Sequence, residues 1–178
     1  MVHGYLPATL LSAAHDVGRF NCGKEQLDIF LRRYALKNQK LDSSQTWVTC
    51  PESEANRVVG YYSLAFGAVL HKDAPLEVKG GMPGYPIPVM LLAKLAVDRD
   101  FRRPVQNLGL GSALLKDALT RTVQAAQIAG LRAMLVDAID EEAIGFYRRF
   151  GFVVSPTDPM QLLLPMAWIR ASIEASSA

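Results

Sequence analysis

Apolar residues early in the chain recur at helical spacing. Leu27, Phe30, Leu31 and Tyr34 fall at i, i+3, i+4 and i+7, which predicts a helix from about Cys22 to Leu41 with one apolar face. Asn21 stands where an N-cap is wanted, and Glu25 lies in the first turn. The period then changes. Gln45–Cys50 and Arg57–Leu70 are rich in Thr, Val, Tyr and Phe and predict strands, with Gly60 and Gly67 as candidate bulge or bend points. Val89–Asp98 is almost continuously apolar, the pattern of a central strand covered on both faces. A helix is expected from about Gly109 to Ala129, ended by Gly130. Leu131–Ala138 reads as another buried strand and Asp140–Phe150 as a short helix stopped by Gly151. Phe152–Val154 is set to pair with Gln161–Leu164. Strands first, then strand–helix–strand–helix–strand, describe an α/β or α+β chain built on a mixed sheet.

The 178 residues fit one domain spanning 1–178, and a hydrophobic share of 50% is enough to bury a core. The Pro- and Gly-rich stretch Asp73–Pro88 reads as a loop within that domain. A net charge of +2 does not by itself point to nucleic acid, so a basic surface would have to come from local clustering. Arg33, Lys37 and Lys40 supply one candidate, a second stripe on the first helix. It is either a solvated face or a docking surface for a polyanion. Cys22 and Cys50 form no metal-binding spacing, and His3, His15 and His71 are scattered, so no metal is expected. Nothing requires a disulfide between Cys22 and Cys50, so a reducing cytoplasm is the default; the chain shows neither a signal-peptide pattern nor an apolar run of the ~20 residues needed to span a bilayer.

The most informative segment follows the apolar strand. Gln106–Asn107–Leu108–Gly109–Leu110–Gly111–Ser112 is a glycine-bearing turn that opens a helix. Gly109 and Gly111 let the backbone approach a ligand closely. The unpaired amides and dipole of the first helical turn make an anion site suited to a pyrophosphate. The GxxxxGK[ST] loop is excluded because no Lys follows Gly111, and the three-glycine dinucleotide fingerprint is absent. A tight strand–helix turn without a ligand is the plainer reading of the motif alone.

Q-N-L-G-L-G resembles the Q/R-x-x-G-x-G/A motif of the GNAT acetyltransferases, and E-A-I-G-F-Y-R-R-F-G-F at Glu142–Phe152 resembles their second signature, in the same order and spacing. The segments F-N-C-G-K-E-Q-L-D-I-F-L, V-V-G-Y-Y-S-L and P-V-M-L-L-A-K-L-A-V-D resemble one branch, the GNAT toxins of bacterial toxin–antitoxin modules, over roughly residues 5–165. The resemblance implies a GNAT fold, a central mixed, mostly antiparallel twisted sheet flanked by helices with a splayed central strand pair. It implies acetyl-CoA as cofactor, its pyrophosphate on the amides of Gln106, Asn107, Leu108, Gly109, Leu110, Gly111 and Ser112. The pantetheine arm would lie along backbone groups of Leu95, Ala96 and Val97, with Tyr147 near the sulfur. It further implies aminoacyl-tRNA as acceptor, a ribbon-helix-helix antitoxin and a homodimer. The link Arg99–Val105 is longer than in the branch, and Asn107 stands where Gly is frequent.

Acyl transfer from a thioester needs a neutral amine, a donor to the oxyanion and a proton for the leaving thiolate. A phenol stays protonated at neutral pH, so Tyr147 suits the last task; a tyrosine packed among Phe146, Phe150 and Phe152 is the alternative. The oxyanion donor is expected to be a backbone N–H near Leu95–Ala96, and the residues show no clear general base and no covalent nucleophile. Arg33, Lys37 and Lys40, with Arg99, Arg102, Arg103, Arg148 and Arg149, would form a basic rim for tRNA if they converge. Two other functions remain open. One is a small-molecule amine or protein N-acetyltransferase, the former with acidic residues such as Glu52–Glu54 or Asp140–Glu142; the other is a non-catalytic acetyl-CoA-binding domain, which would transfer nothing.

Overall fold

The structure is a computed structural model that describes residues 2–102 and 109–177. The described elements are β1 (Thr9–Leu10), α1 (Glu25–Ile29), a π-helical turn (Phe30–Ala35), α2 (Leu36–Lys40), β2 (Gln45–Thr49), β3 (Gly60–Val69), α3 (Leu76–Lys79) and β4 (Ile87–Val97). They continue with α4 (Leu110–Ala125), β5 (Ala133–Asp137), α5 (Glu141–Arg149), β6 (Val153–Val154), β7 (Gln161–Pro165) and α6 (Met166–Ser177). The strands form one open, mixed seven-stranded sheet in the order β1-β2-β3-β4-β5-β7-β6. The pairs β1–β2, β2–β3, β5–β7 and β6–β7 are antiparallel, and β4–β5 is parallel. The β4–β5 register runs from Val89 opposite Ala133 to Leu92 opposite Val136, whereas β4 continues to Val97.

The chain divides into two compact units, Met1–Ala65 with Ala93–Ala118, and Phe66–Leu92 with Leu119–Ala178. In the first, side-chain alternation along β3 assigns a helix to each face. The hydroxyl of Tyr61 donates to the carbonyl of Leu27 at 2.8 Å, and its ring stacks on Phe30, so that face meets the first helix. Gly60 and Tyr62 point the other way, Tyr62 donating to the carboxylate of Asp117 on α4. Gly60 is where α4 comes closest. A Cβ there would lie 2.9 Å from Leu114 Cδ1, 3.1 Å from Thr49 Cγ2 and 3.3 Å from Leu110 Cδ2. Gly60→Val should therefore destabilise by about 1–3 kcal/mol, the usual range for overpacking a filled core. A lowered urea midpoint with unchanged slope is the expected readout.

The first helix corrects two expectations. It starts at Glu25, not Cys22, because the side-chain carbonyl of Asn21 accepts from Gly23 N–H (2.9 Å) and Gly23 takes φ +80°. Asn21 thus makes a turn instead of an N-cap. Its buried face is Leu27, Leu31 and Ala35, and Tyr34 is exposed. The cause is the π turn, whose i→i+5 bonding breaks the α period and rotates Tyr34 off the apolar stripe. α4 presents Leu110, Leu114, Leu115, Ala118 and Leu119 to the core. It ends at Ala125 instead of Ala129, because Gln127 and Ile128 N–H turn to carbonyls three residues back, on Gln124 and Ala125.

In the second unit, Val69, Ala74, Val78, Ile87, Val89, Ala133, Leu135 and Leu163 form one buried cluster. The Pro- and Gly-rich stretch therefore carries core residues as well as a loop. Arg132 ties it down, donating from Nε to the carbonyl of Val78 (2.7 Å) and from Nη2 to that of Gly80 (3.0 Å). Among the described residues no helix is long and apolar enough to cross a membrane.

Candidate active site

In the first unit the site residues lie on the last turnless stretch of β4 and the first turn of α4. Leu95 is half-buried, Ala96 and Val97 are buried, and all three lie beyond Leu92, the last β4 residue in the β5 register. Asp98, 2% exposed, ends the strand. Its N–H donates to the carbonyl of Val59 (2.8 Å), and its carboxylate accepts from Asn21 N–H and Asp100 N–H, each at 3.0 Å. Arg99 N–H donates to the carbonyl of Asn21 (2.9 Å). Arg102 donates to the carbonyls of Cys22 (2.6 Å) and Val97 (3.3 Å). The start of the long link is thus stitched to Asn21–Cys22. Asp98 is a structural residue with no role expected from the sequence. Arg102 spends its guanidinium on carbonyls instead of joining a basic rim.

The expected phosphate residues fall on both sides of a boundary. Gln106, Asn107 and Leu108, like Arg103, lie outside the described residues. Gly109 precedes α4, and Leu110, Gly111 and Ser112 form its first turn. The carbonyl of Gly109 accepts from Ala113 N–H at 3.2 Å, which closes the turn and sets the amides of Leu110, Gly111 and Ser112 ahead of it. A helix as long as α4 supplies positive potential at that end. Leu110 and Leu114 pack against Gly60, so the turn is held from below by the sheet. These features fit the pyrophosphate of acetyl-CoA: a fixed first turn with glycines at its entrance and, on β4, five residues beyond the last β5 partner.

In the second unit Tyr147 sits on α5. Asp140 accepts from Ala143 N–H (2.8 Å) and caps that helix, and Gly151, at φ +88°, ends it. Tyr147 is 5% exposed, with its ring 5.1 Å from that of Phe146 and 5.3 Å from that of Phe152. Burial pushes its pKa well above the ordinary phenol value. Burial is the only cause of that shift, with no hydrogen bond contributing to it.

Cys22 is no nucleophile. It is buried beside Asp28, and burial first, then that carboxylate, pushes its thiol up to about 11. Of the acidic candidates, Glu54 pairs with Arg19 (2.7 Å) and Arg57 (3.2 Å), and Asp140 caps α5. Arg33, Lys37 and Lys40 are exposed on the first helix, and Arg99, Arg148 and Arg149 are exposed as well. One cation that the sequence reading passed over is Lys94 on β4, whose ammonium lies 5.5 Å from the centre of the Phe30 ring.

Comparison with known proteins fits this geometry. Residues 42–154 match the family model described as an acetyltransferase (GNAT) domain. The chain is 49% identical over 170 residues to the tRNA-acetylating toxin of Mycobacterium tuberculosis (strain ATCC 25618 / H37Rv), covering 96% of this chain and 98% of that one. It superposes on AtaT complexed with acetyl-methionyl-tRNAfMet with a TM-score of 0.81 at 26% identity, covering 97% and 99% of the two chains. It superposes on AtaTR bound with AcCoA with a TM-score of 0.75 at 25% identity, covering 94% and 97%.

Proposed function

The chain belongs to the GNAT acetyltransferases, and from that premise we propose that it is a toxin that acetylates the α-amino group of aminoacyl-tRNA and so blocks translation. The identity of 49% along nearly the whole chain to a tRNA-acetylating toxin carries this reading. The engagement of Glu54 and Asp140 in ion pairing and capping weighs against a pocket for a small cationic amine. The site of action is then the cytoplasm, the protein works as a homodimer, and a ribbon-helix-helix antitoxin neutralises it.

Acetyl-CoA, when bound, supplies an acetyl group activated as a thioester. The amides of Gly109, Leu110, Gly111 and Ser112, with those of Gln106, Asn107 and Leu108, hold its pyrophosphate. Backbone groups of Leu95, Ala96 and Val97 would orient the pantetheine arm, and an N–H of Leu95–Ala96 would serve as donor to the oxyanion. Tyr147 is the general acid. Burial makes it a weaker acid than a free phenol, so it would donate a hydrogen bond to the departing sulfur, and the proton it gives up would be replaced through water by the one the attacking amine loses. An α-amino group titrates near pH 8 and is partly neutral without a protein base.

The test is transfer of labelled acetyl from acetyl-CoA to bulk aminoacyl-tRNA. Label that survives on the amino acid after mild hydrolysis of the ester supports the reading. Label that appears only on polyamines or protein amines defeats it. The pH profile is a further check. The raised pKa of Tyr147 keeps the phenol protonated past pH ~10, so kcat/KM should climb with the neutral amine through about pH 8 and level off toward about pH 9 without falling. A falling limb in that interval excludes Tyr147 as the acid.

A further inference from the structure

We propose that Tyr34 is a stacking platform for a base of the unpaired acceptor end of tRNA, an inference that rests on the acceptor assigned above. Helical spacing places Tyr34 with Leu27 and Leu31 in the core, yet the π turn Phe30–Ala35 turns it out, leaving it 48% exposed. Exposing a tyrosine that the apolar pattern reserves for the interior forfeits burial, and π turns inserted in helices gather at functional sites. Tyr34 emerges in the middle of a basic stripe. From Ile29 to Leu41 four residues are basic and none is acidic. Arg32 is occupied by the carbonyl of Phe20 (2.8 Å). Arg33, Lys37 and Lys40 are exposed and make no ion pair with a described residue. Arg33 precedes Tyr34, Lys37 follows one turn on, and Phe30, with the ammonium of Lys94 over its ring, lies one turn before. An exposed aromatic ring set among exposed cations is the combination that holds single-stranded nucleic acid, the ring stacking on a base and the cations meeting the flanking phosphates. A duplex offers no open base to such a ring. The unpaired end that carries the aminoacyl group does.

The experiment measures binding of deacylated tRNA over a salt series, alongside acetyl transfer to aminoacyl-tRNA. Tyr34→Ala should weaken tRNA binding and raise KM about tenfold, as loss of one base–aromatic stack does. The salt slope and the affinity for acetyl-CoA by calorimetry should stay as in the wild type. Tyr34→Phe should restore binding to within about twofold, since the ring and not the hydroxyl stacks. Trimming the unpaired end from the tRNA should weaken the wild type and leave Tyr34→Ala no worse. Wild-type binding by Tyr34→Ala overturns the inference, and so does a Tyr34→Phe variant as weak as Tyr34→Ala. If the wild type acetylates aminoacyl-tRNA while these variants do not differ, this inference alone falls. If the wild type transfers nothing to aminoacyl-tRNA, the functional reading falls with it.

Discussion

Replacing Tyr147 with phenylalanine is expected to lower kcat by about two to four orders of magnitude, the range associated with losing a positioned general acid. The folding transition and the calorimetric affinity for acetyl-CoA should be nearly unchanged. The separation is possible because the ring and the hydroxyl have different tasks. The ring packs between Phe146 and Phe152 and contributes to the second unit's core, and phenylalanine fills the same volume. Burial alone shifts the hydroxyl's pKa, with no hydrogen bond contributing, so its removal is expected to strand no partner. A variant that keeps most of its turnover would leave Tyr147 as packing alone and pass the proton to water. A variant that unfolds easily would show that the hydroxyl supports the helix. In a bacterium, growth arrest by the wild type and its absence with Tyr147→Phe is the corresponding expectation for a toxin.

The strands that carry the site were legible because each is a short apolar run. β2, β3, β4, β5 and β7 all lie within a few residues of where alternation or continuous apolarity put them. α5 was legible because Asp140 and Gly151 punctuate it at both ends. What the sequence hid was geometry that side-chain type does not encode. The π turn leaves the residue pattern intact and changes only which carbonyl each N–H reaches, so Tyr34 was assigned to the wrong face. Asn21 has the right identity for an N-cap, but its carbonyl is taken by Gly23, two residues away, and the helix begins later. α6 escaped notice because only Met166 and Ile169 are buried on it, too few to make a stripe. The latch of Asp98 and Arg102 onto Asn21–Cys22 joins residues far apart in sequence and has no local signature. The two signature motifs, by contrast, could be read without geometry, since each is a fixed local spacing.

Reversing charge at Arg33 and Lys37 together should cut kcat/KM for aminoacyl-tRNA roughly thirty- to several-hundred-fold at low salt. Each reversal removes one attraction to a phosphate and adds one repulsion. With about 0.5–1 kcal/mol for each such contact in water, the four changes come to about 2–4 kcal/mol. Both side chains are exposed and make no ion pair with a described residue, so no internal pair is broken and the fold should hold. Exposure also fixes how the effect depends on conditions. Screening shortens with salt, so the gap between variant and wild type should close as salt rises, and the variant's log–log salt slope should be shallower by about one unit per lost contact. Affinity for acetyl-CoA should not follow. The proposed phosphate site uses main-chain N–H groups at the start of α4, whereas the stripe lies on the π turn and α2. An equal loss in acetyl-CoA affinity and in tRNA acetylation would mean that the reversal acts through the cofactor or the fold. In that case the stripe is solvated surface, and the acceptor end is held by some other part of the molecule.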